Sequence, residues 1–113
     1  MALSTRHNMK LLIAHQGGGF AADTHDCAPI IRDHENAYME ICGSLDNSLP
    51  VETIVDMAGE DKVLFGTDAI NLDPKYELGK VAFSRLPDDI KKKLFATNYL
   101  KVLQYSQMGN IQF

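Results

Sequence analysis

Cysteine is scarce in this chain: Cys27 and Cys42 are the only two among 113 residues, and no CxxC pair occurs. That excludes a disulfide-stapled framework, and two free thiols in a reducing cytoplasm are expected. Positive charge is short as well, since 11 Lys and Arg against 15 Asp and Glu leave a formal charge of −4. No basic stripe is available to offset phosphates, so no nucleic-acid partner is expected. The densest basic run, Lys91-Lys92-Lys93, sits beside Asp88 and Asp89 and reads as a solvated helix face. Long apolar runs are missing too. None approaches the roughly 20 residues that span a bilayer, so no membrane partner is expected. The stretch Met1 to Lys10 lacks the charged-then-apolar order of a secretion signal. What remains, 45% hydrophobic and 23% charged, suits a single globular domain over residues 1–113.

Three short apolar runs are present. Lys10–Ala14 (KLLIA), Ala37–Cys42 (AYMEIC) and Lys62–Phe65 (KVLF) predict strands covered on both faces. The first ends in His15 and a run of glycines, the third in Gly66-Thr67-Asp68. Between the second and third, Val51, Ile54, Val55 and Ala58 recur at helical spacing, with Pro50 in front and Gly59 behind. Asp73-Pro74 opens another helical pattern through Leu78, Val81, Ala82 and Leu86. A last helix follows Pro87, with Asp88 and Asp89 near its positive N-terminal end and Ile90, Leu94, Phe95, Leu100 and Leu103 on its apolar side. Phe20–His34 has no clear period and reads as a loop with a helix inside. Residues 104–113 read as a frayed tail.

Strands alternating with helices predict an α/β fold with a parallel sheet. Three parallel strands need cover on both faces and leave edges open, so the pattern reads as part of a larger sheet. Exposed apolar surface on such a piece favours self-association into a homo-oligomer.

Two strand ends carry residues capable of chemistry. His15 closes the first strand and Asp68 the third, and in parallel α/β folds the C-terminal strand ends form the functional rim. The structural alternative is a histidine bonded to a nearby carbonyl and an aspartate capping a loop. Gly17-Gly18-Gly19 lacks the spacing of a dinucleotide or phosphate loop and suits a sharp turn open to a ligand. His7, His25 and His34 show no HxH, HxxxH or HExxH spacing and read as surface residues. His25 in "ADTHDC" stands near Asp23, Asp26 and Cys27, which a loop could gather over the strand ends. Ser44 follows a strand without a GxSxG elbow, which argues against a serine nucleophile.

In order and spacing, "NMKLLIAHQGGG", "ENAYMEICGS", "GEDKVLFGTDA" and "DDIKKKLFATNYLKVL" resemble the metal-dependent amidohydrolases related to aminocarboxymuconate-semialdehyde decarboxylase. The resemblance runs from Arg6 to Leu103. It implies the last three βα units of a (β/α)8 barrel and a small-molecule substrate. It also implies a divalent metal, zinc by expectation, that activates water. His15 then matches an active-site histidine near the metal, and Asp68 a metal-binding aspartate that can take a proton from that water. Gly17, Gly18, Gly19 and Ser44 become substrate or loop contacts. Hydrolysis and decarboxylation share these residues, so both reactions stay open beside a non-catalytic, self-associating module. The His-x-His pair and further histidine that hold most of the metal have no counterpart here, so this chain alone is expected to leave the metal site incomplete. A barrel of this kind needs roughly 250 residues. Two smaller departures are Glu40, where many relatives carry aspartate, and "DAINLDP", where relatives often have a proline sooner.

Overall fold

The structure, a computed structural model, describes residues 9–18, 21–43 and 49–104. Three strands, β1 (Leu11–Ile13), β2 (Ala37–Glu40) and β3 (Val63–Leu64), form a parallel sheet in the order β1-β2-β3. Helix α1 (Ala21–Asp33) joins β1 to β2, and α2 (Val51–Ala58) joins β2 to β3. Beyond β3 come α3 (Pro74–Ala82), α4 (Asp88–Lys92), a π-helical stretch (Lys93–Thr97) and α5 (Asn98–Gln104). The parallel α/β expectation holds, with each strand two residues shorter than its apolar run.

Alternation along the strands sorts two faces. Ile13, Met39 and Val63 share one face, where they meet Ala28 and Ile31 of α1 and Val51, Ile54, Val55 and Ala58 of α2. Those four α2 residues are the ones marked out by spacing, and all are buried. Burying each Val or Ile contributes about 1.5–3 kcal/mol, which fixes α2 against the sheet. Tyr38 and Leu64 point the other way and pack with Tyr99 and Val102 of α5. Lys10 and Lys62 sit 5.8 and 5.0 Å from the Tyr38 ring centroid. Lys62 Nζ also donates to the carbonyls of His34 and Glu35, at 2.8 and 2.7 Å, tying down the turn before β2.

Three expectations about the helices need correction. Phe20–His34 is mostly helix, so Asp23, His25, Asp26 and Cys27 ride on α1 and do not gather in a loop; His25 and Asp26 are exposed. Pro29 lies inside that helix, yet Thr24, Ala28 and Ile31 fall on one buried stripe at i, i+4, i+7. In α3, Leu78 and Ala82 face solvent, whereas Val81 and the charged Glu77 are buried. At the C-terminus Leu100 is exposed, and Leu94, Asn98 and Val102 are buried at four-residue steps. The wider π turn advances the buried stripe by part of a residue and carries Leu100 out of it.

The sheet's edges are unequal. Lys62 and Leu64 carbonyls accept from Met39 of β2 and from Ile41 just beyond it, which leaves Val63 O and Phe65 N directed away from β2. Asn98 Nδ2 donates to Val63 O at 2.8 Å, and Phe65 N donates to Leu94 O at 3.0 Å. The C-terminal helix therefore seals β3, correcting the expectation of two open edges. No strand pairs with the outer edge of β1 among the described residues. Gln104 ends α5, and the remainder of the expected tail lies outside the described residues. No described helix is long and apolar enough to cross a membrane.

Candidate active site at the strand ends

His15 leaves β1 directly into a single 3₁₀ turn (His15–Gly17) with φ +55°, and Gln16 follows at φ +58°. Asp68 lies four residues past β3, at φ +50°. Left-handed backbone is sparsely populated by non-glycine residues and costs of order 1–3 kcal/mol each where the surroundings enforce it. Both residues singled out at the strand ends are held this way. His15 Nε2 stands 3.9 Å from Asp68 Oδ2, with the histidine half exposed and the aspartate a quarter exposed. That gap is too long for a direct hydrogen bond and short enough for one bridging water. Asp68 is aimed by its own loop: Asn71 Nδ2 donates to Oδ1 at 3.2 Å, and the Asn71 and Leu72 amides donate to the Asp68 carbonyl.

Gly43 forms the floor beneath the pair. Its φ is +85°, and a Cβ there would lie 2.7 Å from His15 Cδ2 and 3.4 Å from Asp68 Oδ2. The end of β2 thus closes on the side chains of the other two strand ends only because residue 43 has no side chain. Gly17 and Gly18 make a different close approach. A Cβ would meet Cys27 Cβ at 2.7 Å in the first case and Asp23 Oδ2 at 2.6 Å in the second. What their bareness admits in this structure is the first half of α1. Gly19 and Ser44 lie outside the described residues.

Beside the pair, Glu40 and Cys42 form a second polar unit. Cys42 N and Sγ both donate to the Glu40 carboxylate, at 3.0 Å to Oε1 and 2.7 Å to Oε2. Glu40 Oε1 occupies the space a Cβ on Gly66 would fill, so the bare Gly66 lets that carboxylate settle against the β3 exit. Burial, then the hydrogen bond and charge of Glu40, push the Cys42 thiol up to about 12. Burial also pushes the Tyr99 phenol up to about 12, with Glu40 and Cys42 adding to it. Cys42 is thus a protonated hydrogen-bond donor and a poor nucleophile at neutral pH.

The family model described as amidohydrolase matches residues 2–104. The chain belongs to the amidohydrolase family. The crystal structure of 2,6-dihydroxybenzoate decarboxylase from Rhizobium superposes with a TM-score of 0.68 at 12% identity. The match covers 90% of this amidohydrolase chain and 36% of the decarboxylase, so the chain spans about a third of that enzyme's length. The likeness is one of fold: the three parallel strands and their helices correspond to part of a TIM barrel. No curated protein sequence matches the chain.

Amidohydrolases of this type generally use a divalent metal ion. Among the described residues of this member, no three His, Cys, Asp or Glu side chains converge to hold one. Asp68 and His15 offer two donors. The nearby Cys42 keeps its proton and is engaged with Glu40. These residues therefore do not fit a catalytic metal site, which needs three protein ligands and an open position.

Sequence reasoning overlooked Gly43, Gln16, Glu77 and Lys80. Gln16 is fully buried and its Nε2 reaches the Ile41 carbonyl at 3.4 Å. Glu77 is a buried carboxylate in ion contact with Lys80 Nζ at 2.6 Å. A glycine following a strand was a readable signal for Gly43; an interior Glu-Lys pair leaves no mark on apolar periodicity.

Proposed function

We propose that this chain supplies the acid–base part of a hydrolytic site acting on a small molecule. The observation that carries the reading is the His15–Asp68 pair, 3.9 Å apart on two strand ends, each fixed in left-handed backbone. Asp68, oriented by Asn71, takes the proton of an attacking water placed between the two side chains. As the water oxygen bonds to the substrate's acyl carbon, His15, on the far side of that water, relays the proton from Asp68 to the leaving group, whose bond to that carbon breaks. Positioned proton transfer of this kind contributes about 10²–10⁴-fold. Zinc, expected from the resemblance, finds only Asp68 and His15 among these residues, and the chemistry proposed rests on the side chains alone. The free thiols of Cys27 and Cys42 favour a cytoplasmic setting.

The test is hydrolysis of a panel of small activated esters, amides and lactones by the protein and its Asp68→Asn and His15→Asn variants. Turnover above buffer that falls at least 100-fold in Asp68→Asn is the expected result. No turnover by the parent protein, or equal turnover by the variants, would overturn the proposal. Release of CO2 from 2,6-dihydroxybenzoate, the compound in the structural neighbour's name, without hydrolysis of the panel would replace hydrolysis by decarboxylation.

A further inference from the structure

The floor under His15 and Asp68 is itself held from below by charge. Glu77 is 1% exposed, and its Oε1 accepts from the Gly43 amide at 3.4 Å. Its Oε2 meets Lys80 Nζ at 2.6 Å, an ion pair outside ideal hydrogen-bond alignment. The same ammonium donates to the Ile41 carbonyl at 3.2 Å. One helical turn of α3 thus grips the main chain on both sides of Cys42, through a carboxylate at residue 43 and an ammonium at residue 41. Apolar packing does little of this work. A cavity of about 410 Å³, lined in part by Ile41, Val51, Ile54 and Lys80, reaches both α2 and α3, and Val81 is the fully buried apolar residue of α3.

A buried pair is a weak contributor to net stability, because desolvating both charges offsets their attraction. Its effect here is geometric. Two long side chains converge on the two main-chain groups that flank Cys42 and fix the height of the strand end. We propose that Glu77 and Lys80 are positioning residues that set Gly43 against His15, and through it the separation of His15 from Asp68. The functional meaning rests on the hydrolytic reading above; the geometric claim stands apart from it.

The experiment is nuclear magnetic resonance on the whole protein, with two readouts. One is the exchange rate of the Gly43 amide, referenced to Met39 and Ile41, whose amides bond across the sheet to Lys62 and Leu64. The other is the nuclear Overhauser effect between the His15 ring and the Gly43 α-protons. In Glu77→Ala, Gly43 is expected to exchange at least tenfold faster while Met39 and Ile41 hold their rates, and the His15–Gly43 effect falls at least twofold. Equal loss at all three amides marks a merely structural role and overturns the proposal, as does no change at Gly43. Should Glu77→Ala not fold, Glu77→Gln carries the test. Its amide still accepts from Gly43 but gives Lys80 no charge, so Gly43 keeps its protection and the His15–Gly43 effect weakens; an unweakened effect overturns the proposal. Neither readout needs turnover. A parent protein that hydrolyses nothing defeats the hydrolytic reading alone, and an unaltered Gly43 defeats the clamp alone.

Discussion

Asn98 gives the sharpest test of how the C-terminal helix is attached. Its side chain is fully buried, and Nδ2 donates at 2.8 Å to both Val63 O and Glu60 O. Removing the amide in Asn98→Ala leaves two carbonyls without a donor. Val63 is completely buried, so its carbonyl cannot recruit water, and an unsatisfied buried group costs about 1–3 kcal/mol. Glu60 is partly exposed, so its carbonyl loses only the net value of one hydrogen bond, about 0.5–1.5 kcal/mol. The sum, about 1.5–4.5 kcal/mol, is a large share of the roughly 5–15 kcal/mol that holds a domain together. At roughly 4 °C per kcal/mol for a chain of this size, Tm should fall by about 6–18 °C. Urea unfolding followed by circular dichroism, with calorimetry beside it, measures both quantities. Asn98→Asp is the control of equal shape: it cannot donate and turns a negative charge toward two carbonyl oxygens, so it should lose at least as much. A loss below about 0.5 kcal/mol in Asn98→Ala, or a neutral Asn98→Asp, would refute the reasoning.

Other outcomes follow from the same geometry. Gly43→Ala should lower stability by only about 1–2 kcal/mol, the cost of left-handed backbone with a Cβ, because half-exposed His15 can swing away from the new methyl group. Its ring should then lose contact with residue 43 in Overhauser spectra, and a retained contact would contradict the floor described above. Cys42, with its thiol held near 12 against an ordinary 9.0, should react with iodoacetamide at pH 8 roughly 10³-fold more slowly than an unhindered thiol. Gly66→Ala must evict the Glu40 carboxylate and should raise that rate; mass spectrometry of the modified peptide reads both effects. Unfolding exposes the thiol and the Tyr99 phenol, which then ionise near 9.0 and 10.0 while the folded groups keep their protons to about 12. The native state binds more protons in that window, so stability is intact below pH 9 and falls as pH rises toward 12, by up to about 1.4 kcal/mol per pH unit for each group. Denaturant titrations at pH 8, 10 and 11 follow this slope, and a flat profile would count against it. Met9 and Leu12 stand 53% and 41% exposed at the β1 edge that no described strand covers, so light scattering should find a dimer or larger species, and a monomer at high concentration would contradict it.

Much of the fold was legible because its signals are local. The apolar runs that stop at His15 and at Gly66 gave the strands, and Val51, Ile54, Val55 and Ala58 gave α2 with its buried face. Helix α1 was obscured by Pro29 and by the polar stretch "ADTHDC", although Thr24, Ala28 and Ile31 kept helical spacing. Leu78 and Leu100 misled for a different reason. Tertiary context buries Glu77 in place of the neighbouring leucine, and the π turn moves the C-terminal stripe onto Asn98 and Val102. At the site, His15 and Asp68 could be paired from their places at strand ends. Gly43 beneath them, and the Cys42 donors that hold Glu40, depend on where three separate segments meet, which no spacing encodes.

The sealing of β3 by Leu94 and Asn98 has a consequence for assembly. A sheet with two free margins can add copies without limit, whereas one margin permits a single addition. Two copies meeting through β1 would be related by a two-fold axis, with their β1 strands antiparallel, and each would present an occupied margin at the far side. Counted over the described strands, growth would stop at six. The asparagine that fastens the C-terminal helix would then also act as the terminator that keeps this sheet from polymerising.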